Sequence, residues 1–310
     1  AILSTLIACS SGEDNSKKAE EAQEVQTASG TTSSSEPADG DWLIYHLNAE
    51  PATLNPITAT DAYEGTVNNG KIYETLIDRN NETLELDPLL AESWEISEDK
   101  LKYTFKIKEG IKWHDGTPFT SEDVVFSYKT IMNPKVDTPQ LRSYFQEIKD
   151  VKAIDDLTVE FTYARPYFLA LEFCGGMPIV PKHIFDKGDF NTNPAGRDPI
   201  GTGPFKFQFW KENTKLVFLR NENYFERDEE GQQLPYLDAV SISFIKDLEV
   251  TFLKFLKLEI DYLTGLKGSY KDELLTSDGK LRKKYAEQVI FTTSPYLNTE
   301  YLGFLVDETK

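Results

Sequence analysis

The stretch Ala91–Pro134, AESWEISEDKLKYTFKIKEGIKWHDGTPFTSEDVVFSYKTIMNP, decides the fold of this 310-residue chain. Near its middle, apolar side chains alternate with lysine and threonine. A period of two is typical of a strand with one buried face. The alternation therefore predicts a half-buried strand whose core-facing set is Leu101, Tyr103, Phe105 and Ile107.

The second half of this stretch predicts a turn followed by a capped helix. Gly110 and the Asp115-Gly116 pair are residues that break strands. Thr120 stands three residues before Asp123, a spacing typical of a capping box at a helix start. Pro134 is expected to end the helix.

From Tyr103 to Tyr128 the chain closely resembles the extracellular solute-binding proteins of family 5, the peptide- and oligopeptide-binding components of bacterial ABC importers. The resemblance extends over about residues 42–305. One departure is Leu258, where the family usually has a small residue, so the turn geometry there is open. The supporting motifs, in chain order, are EPATLNP (50–56), KIYETLI (71–77), DPLLAESWE (87–95), VPKHIF (180–185), PIGTGPFKF (199–207), RNENYF (220–225), LPYLDAVSISFI (234–245) and EIDYL (259–263).

The resemblance implies an α/β fold with mixed α+β layers and a periplasmic-binding-protein-like type II architecture. The first lobe would carry an inserted domain, and the second lobe would lie beyond a chain that is incomplete at both ends. The expected organisation is a signal-peptide remnant (1–8), a lipidated cysteine with a disordered tether (9–41), domain I in two parts (42–71 and 201–295), inserted domain II (72–200) and a crossover toward a further domain (296–310).

The N-terminal residues predict a lipoprotein. AILSTLIAC is too short to span a bilayer, and it resembles the end of a signal peptide with a lipobox before Cys9. The alternative is an incidental buried cysteine. Ser10–Asp41 contains no aromatic residue and is rich in Ser, Thr, Glu and Gly, a composition that predicts a disordered tether.

Composition and motifs argue for a binding protein that is not an enzyme. A net charge of -19 disfavours nucleic acid and anionic membranes. Nucleophile-elbow, zinc-protease and Walker A motifs are absent from the sequence. Its histidines, His46, His114 and His183, lack metal-ligand spacing, and Cys174 is interpreted as a small core residue. We expect neither a cofactor nor a metal.

The remaining elements are predicted more coarsely. Strands are expected at 42–46, 51–54, 157–163, 216–220, 239–245 and 260–263. By resemblance, KIYETLI (71–77) should form the first helix. A further helix is expected at 249–257, with Val250, Leu253 and Leu256 facing inward.

The expected function is capture of a peptide between two lobes that close by hinge motion, followed by docking on ABC permease subunits. By resemblance, Ala52, Thr53 and Leu54 face the cleft from domain I, with Gly201, Thr202, Gly203 and Trp210 near the other wall. Trp210 could equally be a core residue. The alternatives are an oligosaccharide or other small solute on the same fold, or a ligand-sensing receptor. A monomer anchored outside the cytoplasm through Cys9 is expected.

Overall fold

A computed structural model describes residues 39–264 and 268–293, which fall into two compact units with these ranges. Cys9 and residues 10–38 of the predicted tether lie outside the described residues. The strands are β1 Trp42–Leu47, β2 Ile77–Arg79, β3 Leu86–Pro88, β4 Ala91–Ile96, β5 Lys102–Ile107, β6 Ile148–Asp155, β7 Thr158–Tyr163, β8 Phe205–Lys211, β9 Lys215–Arg220 and β10 Ala239–Phe244. The helices are α1 Ala62–Asn68, α2 Ser121–Met132, α3 Pro139–Phe145, α4 Ala170–Gly175, α5 Lys182–Phe185, α6 Leu248–Leu256 and α7 Gly268–Leu274.

Two four-stranded sheets organise the larger unit. The first has the order β1-β10-β9-β8, with β1 parallel to β10 and the other pairs antiparallel. The second is antiparallel, with the order β4-β5-β7-β6. Strands and helices do not alternate strictly, so the expected α/β fold with mixed layers is confirmed.

The decisive stretch folds as its sequence predicts. Tyr103, Phe105 and Ile107 of β5 are buried, and the Phe105 ring meets Phe161 edge-on at 5.8 Å between centroids. The Asp123 carboxylate accepts the backbone N–H of Thr120 at 3.0 Å, as a capping box requires. Helix α2 then ends at Met132, two residues before the proline.

The expected helix at 71–77 is wrong. Helix α1 lies earlier in the chain, where the Asp61 carboxylate caps the Glu64 N–H at 2.8 Å. Gly70, at φ +66°, follows the helix and turns the chain. The carbonyls of Lys71 and Ile72 accept hydrogen bonds from Phe205 and Gly203, so tertiary contacts use these backbone groups.

Two expected strands are also absent from the described residues. Residues 51–54 are irregular, and 260–263 contributes one backbone bond, from the Asp261 N–H to the Ile44 carbonyl at 2.7 Å. Leu258, just before that segment, adopts φ +59°, a left-handed conformation that favours a smaller residue. This geometry accounts for the small residue that the family usually has there, and it does not explain the leucine of this chain.

The orientation expected for α6 is wrong. Val250 and Leu253 are exposed and Leu256 is half-buried, whereas Thr251 and Phe252 are buried. The Asp247 carboxylate caps the first turn. In the smaller unit, Leu275 and Leu281 form an isolated bridge after α7. No described helix combines the length and apolarity needed to cross a bilayer. The predicted domain boundaries stay a prediction.

Candidate functional site

Residues 50–54, here called the 50–54 edge, form an irregular segment held by side chains and by one distant backbone group. The Leu54 N–H donates to the Gly196 carbonyl at 2.7 Å, and the Thr53 hydroxyl reaches the same oxygen at 3.3 Å. The Leu54 carbonyl accepts the buried Asn68 amide at 2.9 Å. Ala52 is exposed and Thr53 is half-buried, whereas Leu54 is fully buried.

A stacked aromatic group adjoins this edge. The guanidinium of Arg197 lies 3.8 Å from the centroid of the Trp210 ring. The indole N–H of Trp210 donates to the Glu50 carboxylate at 2.5 Å, and the Asn213 N–H donates to the other oxygen at 3.0 Å. Trp210 is half-buried, so it is neither a core residue nor a freely exposed one.

Gly201, Thr202 and Gly203, the glycine loop, form a second group that is buried and bonded internally. The Nδ1 atom of His114 accepts the Gly201 N–H at 3.1 Å, which places the proton on Nε2. Nε2 then donates to the Gly203 carbonyl at 3.0 Å. Burial lowers the pKa of His114 to about 4, so the ring stays neutral and keeps this bonding pattern.

The two glycines are required by close backbone approach. A Cβ atom at Gly201 would lie 1.7 Å from the Ile72 carbonyl oxygen, and one at Gly203 would lie 2.5 Å from the Lys71 carbonyl oxygen. The Gly203 N–H donates to the Ile72 carbonyl at 2.9 Å. The loop therefore lies directly against residues 71–72.

Glu74 connects the glycine loop to the rest of the unit. Its carboxyl group accepts the Thr202 hydroxyl at 2.9 Å and the Tyr224 hydroxyl at 2.5 Å. The Tyr224 oxygen also lies 3.1 Å from the Glu226 carboxylate. Burial raises the pKa of Glu74 to about 7 despite the hydrogen bonds that lower it.

Glu74 also lines a cavity of about 510 Å³ beside α1. Glu64 lines the same cavity, and burial raises its pKa to about 7. The Tyr73 hydroxyl is buried and has no hydrogen-bond partner within the described residues. The lining also includes the Arg79–Glu172 ion pair, at 2.8 Å, and the apolar side chains of Phe173 and Pro178.

The predicted site residues thus separate into two groups. In the first group, the Thr53 hydroxyl donates to the Gly196 carbonyl, and the next residue, Arg197, stacks on Trp210. In the second group, the glycine loop is hydrogen-bonded to His114 and Glu74. Sequence reasoning missed Arg197, His114 and Glu74. The only local signal was the position of His114 within the WHDGT turn. In residues 39–264 and 268–293, no group of three or more His, Cys, Asp or Glu side chains could hold a metal.

Comparison with known proteins identifies the wider group. Residues 85–309 match the family model described as "Bacterial extracellular solute-binding proteins, family 5 Middle". The dipeptide-binding protein of Escherichia coli is 29% identical over 290 residues, which cover 86% of this chain and 51% of that protein.

Solved structures show the same fold. The oligopeptide-binding protein AppA of Bacillus subtilis, in complex with a nonapeptide, is 30% identical with a TM-score of 0.66, over 73% of this chain and 44% of that one. NikZ of Campylobacter jejuni, in complex with Ni(L-His), is 29% identical with a TM-score of 0.62, over 71% and 42%. These neighbours confirm the type II binding-protein architecture. The chain spans about half the length of the relatives it matches, and it belongs to the family 5 extracellular solute-binding proteins.

Proposed function

We propose that the protein captures peptides outside the cytoplasm and delivers them to an ABC importer, with the 50–54 edge and Trp210 in the wall of its ligand cleft. The observation that carries this proposal is that the 50–54 edge has backbone groups without a hydrogen-bond partner. Within the described parts of the chain, the Ala52 carbonyl and the Thr53 N–H make no hydrogen bond, although both neighbouring N–H groups do.

Such free backbone groups suit a peptide ligand. These two groups belong to one trans peptide unit and point in opposite directions, so an extended peptide on one side of the edge can pair its main chain with one of them, largely independently of its side chains. The Trp210 ring beside the edge offers a flat apolar surface for a ligand side chain. The relatives named for dipeptides and oligopeptides are consistent with this ligand class.

The two groups of site residues have different roles in this proposal. Ala52, Thr53 and Trp210 contact the ligand, because they retain exposed surface. Leu54 and the glycine loop support the wall from behind, since they are buried.

The test is calorimetric titration of the full-length protein with defined tripeptides and with a mixed peptide pool. We expect binding that Trp210→Ala weakens at least about fivefold, because an aromatic contact at a binding site is worth more than about 1 kcal/mol. Trp42→Ala is the matched control, since Trp42 is an exposed tryptophan on β1 of the same sheet. Absence of peptide binding would refute the function, and unchanged affinity in Trp210→Ala would refute the site.

A second candidate is a small carboxylate-bearing solute or its metal complex. It is favoured by the likeness to NikZ, whose structure holds Ni(L-His). Native mass spectrometry of the protein as purified separates the two, because a bound peptide mixture and a single small solute differ in mass distribution.

Membrane anchoring is part of the same proposal. A lipid on Cys9 would hold the protein near its importer, with residues 10–41 as the tether. No catalytic step is proposed.

A further inference from the structure

Arg197 differs from every other arginine of the chain in what holds its guanidinium group. The chain has seven arginines, all within the described residues. Six have a guanidinium that donates to a carbonyl or carboxylate oxygen: Arg79, Arg142, Arg165, Arg220, Arg227 and Arg282. In the described part of the chain, the Arg197 guanidinium has neither a hydrogen bond nor an ion pair, and it is held by the Trp210 ring alone.

Within the described residues, the nearby Glu50 carboxylate forms no ion pair with this cation. Both oxygens of Glu50 already accept hydrogen bonds, one from the Trp210 indole and one from the Asn213 backbone. Glu50 fixes the indole, and the indole in turn supports the guanidinium from one face. Stacking uses the face of a guanidinium and leaves its in-plane N–H donors free.

The position of Arg197 is set by the backbone next to it. The Gly196 carbonyl accepts hydrogen bonds from the Leu54 N–H and the Thr53 hydroxyl. The Arg197 N–H donates to the Pro194 carbonyl at 2.8 Å. The side chain is exposed, and its Cα atom lies one residue from the contact with the 50–54 edge. The Arg197 backbone therefore lies next to the contact with the 50–54 edge, and its guanidinium lies over Trp210, whose indole donates to Glu50 of the same edge.

We infer that Arg197, stacked on Trp210, binds a carboxylate of the ligand and so sets the preferred position of a peptide along the 50–54 edge. A planar guanidinium with free donors matches a carboxylate in a two-point hydrogen-bonded pair. The inference rests on the proposed function, because the edge must be part of the ligand cleft. The carboxylate could be the peptide C-terminus or an acidic side chain.

The experiment uses the full-length protein and three peptides with free amino termini: trialanine with a free carboxylate, trialanine amide, and Ala-Glu-Ala amide. We expect the wild type to bind at least one carboxylate-bearing peptide about tenfold or more tighter than trialanine amide, as a charge-assisted bond predicts. Preference for free trialanine assigns the terminus, and preference for Ala-Glu-Ala amide assigns the side chain.

Arg197→Gln should remove this preference while leaving the affinity for trialanine amide within about twofold, and Arg197→Lys should restore part of it, since lysine keeps the charge but not the fork. Arg227→Gln is the matched control, an exposed arginine in a surface turn bonded to Gly231. Equal binding of all three peptides by the wild type, or a preference retained by Arg197→Gln, overturns the carboxylate assignment alone. Failure of the wild type to bind any peptide overturns the proposed function and this inference together.

Discussion

Replacement of Glu74 by glutamine should change how stability depends on pH. Glu74 is 4% exposed, and its carboxyl group meets two hydroxyl groups, those of Thr202 and Tyr224. The single phenolic proton of Tyr224 faces two carboxyl groups, those of Glu74 and Glu226, and cannot be donated to both. A proton on Glu74 resolves this conflict, which agrees with a pKa raised to about 7.

The magnitude follows from proton linkage. A carboxyl with a pKa of about 7 when folded and 4.5 when unfolded binds more protons in the folded state between these pH values. The stabilisation is complete below about pH 4.5 and is lost as the pH rises through 7. At about 1.4 kcal/mol per pH unit, the loss amounts to about 3 kcal/mol.

Glutamine imitates the protonated acid, because it donates and accepts without titrating. The free energy of unfolding of Glu74→Gln relative to wild type should therefore increase by about 3 kcal/mol between pH 4.5 and pH 8. Other groups change both proteins equally: Glu64 acts in the same direction, and neutral His114 in the opposite direction. The difference between the two proteins isolates Glu74.

The measurement is urea unfolding at several pH values, followed by circular dichroism. Glu98→Gln is the control, because Glu98 is exposed and undergoes the same chemical change. A difference between Glu74→Gln and wild type that stays flat over this pH range would show that Glu74 is ionised when folded, and the shared-proton reasoning would fail.

Three further predictions concern backbone approach, capping and anchoring. Gly201→Ala should lower the free energy of unfolding, measured in urea, by at least about 3 kcal/mol, since its Cβ would lie 1.7 Å from the Ile72 carbonyl oxygen. The control Gly65→Ala in α1 should leave this free energy unchanged or raise it. Asp123→Ala should lower the same free energy by about 3 kcal/mol, because it leaves the Trp113 indole N–H and the backbone N–H groups of Thr120 and Lys182 unpaired. The control Glu122→Ala, which removes an exposed ion pair, should lower it by under about 1 kcal/mol. Cys9→Ala in the full-length protein should lose the lipid mass and leave the detergent-extractable membrane fraction; unchanged mass and partitioning would refute lipidation.

The elements that sequence predicts well are those whose pattern is local. The alternation in β5 and the Thr120–Asp123 cap depend on residues within a few positions, and both form as expected. The KIYETLI segment shows the limit of this reasoning. The resemblance predicted a helix there, but the carbonyls of this segment accept hydrogen bonds from a loop about 130 positions later in the chain. Tertiary bonding there overrides local preference.

The sequence points to part of the candidate site for the same reason, and the role of those residues in binding stays a prediction. Motifs located the 50–54 edge, the glycine loop and Trp210, since these belong to continuous runs of sequence. The partners that define their chemistry are distant: His114 reaches Gly203 across 89 positions, and Glu74 reaches Thr202 across 128. Nothing in the local sequence of Arg197 distinguishes it from the other arginines. What sets Arg197 apart is its contact with the Trp210 ring, which only the fold brings about.

The glycine loop and Arg197 are connected through the short segment between them. Both glycines use their N–H and carbonyl groups within the protein, so the loop has little freedom to move against residues 71–72 and His114. Arg197 lies four residues before this fixed point and is bounded on its other side by the Gly196 contact with the 50–54 edge. In the proposed site, a carboxylate ligand would meet a cation placed before binding, which would lower the entropic cost of ordering the Arg197 side chain. In this proposal the glycine loop would contribute to recognition through rigidity, and the exposed groups at the 50–54 edge would contribute through contact.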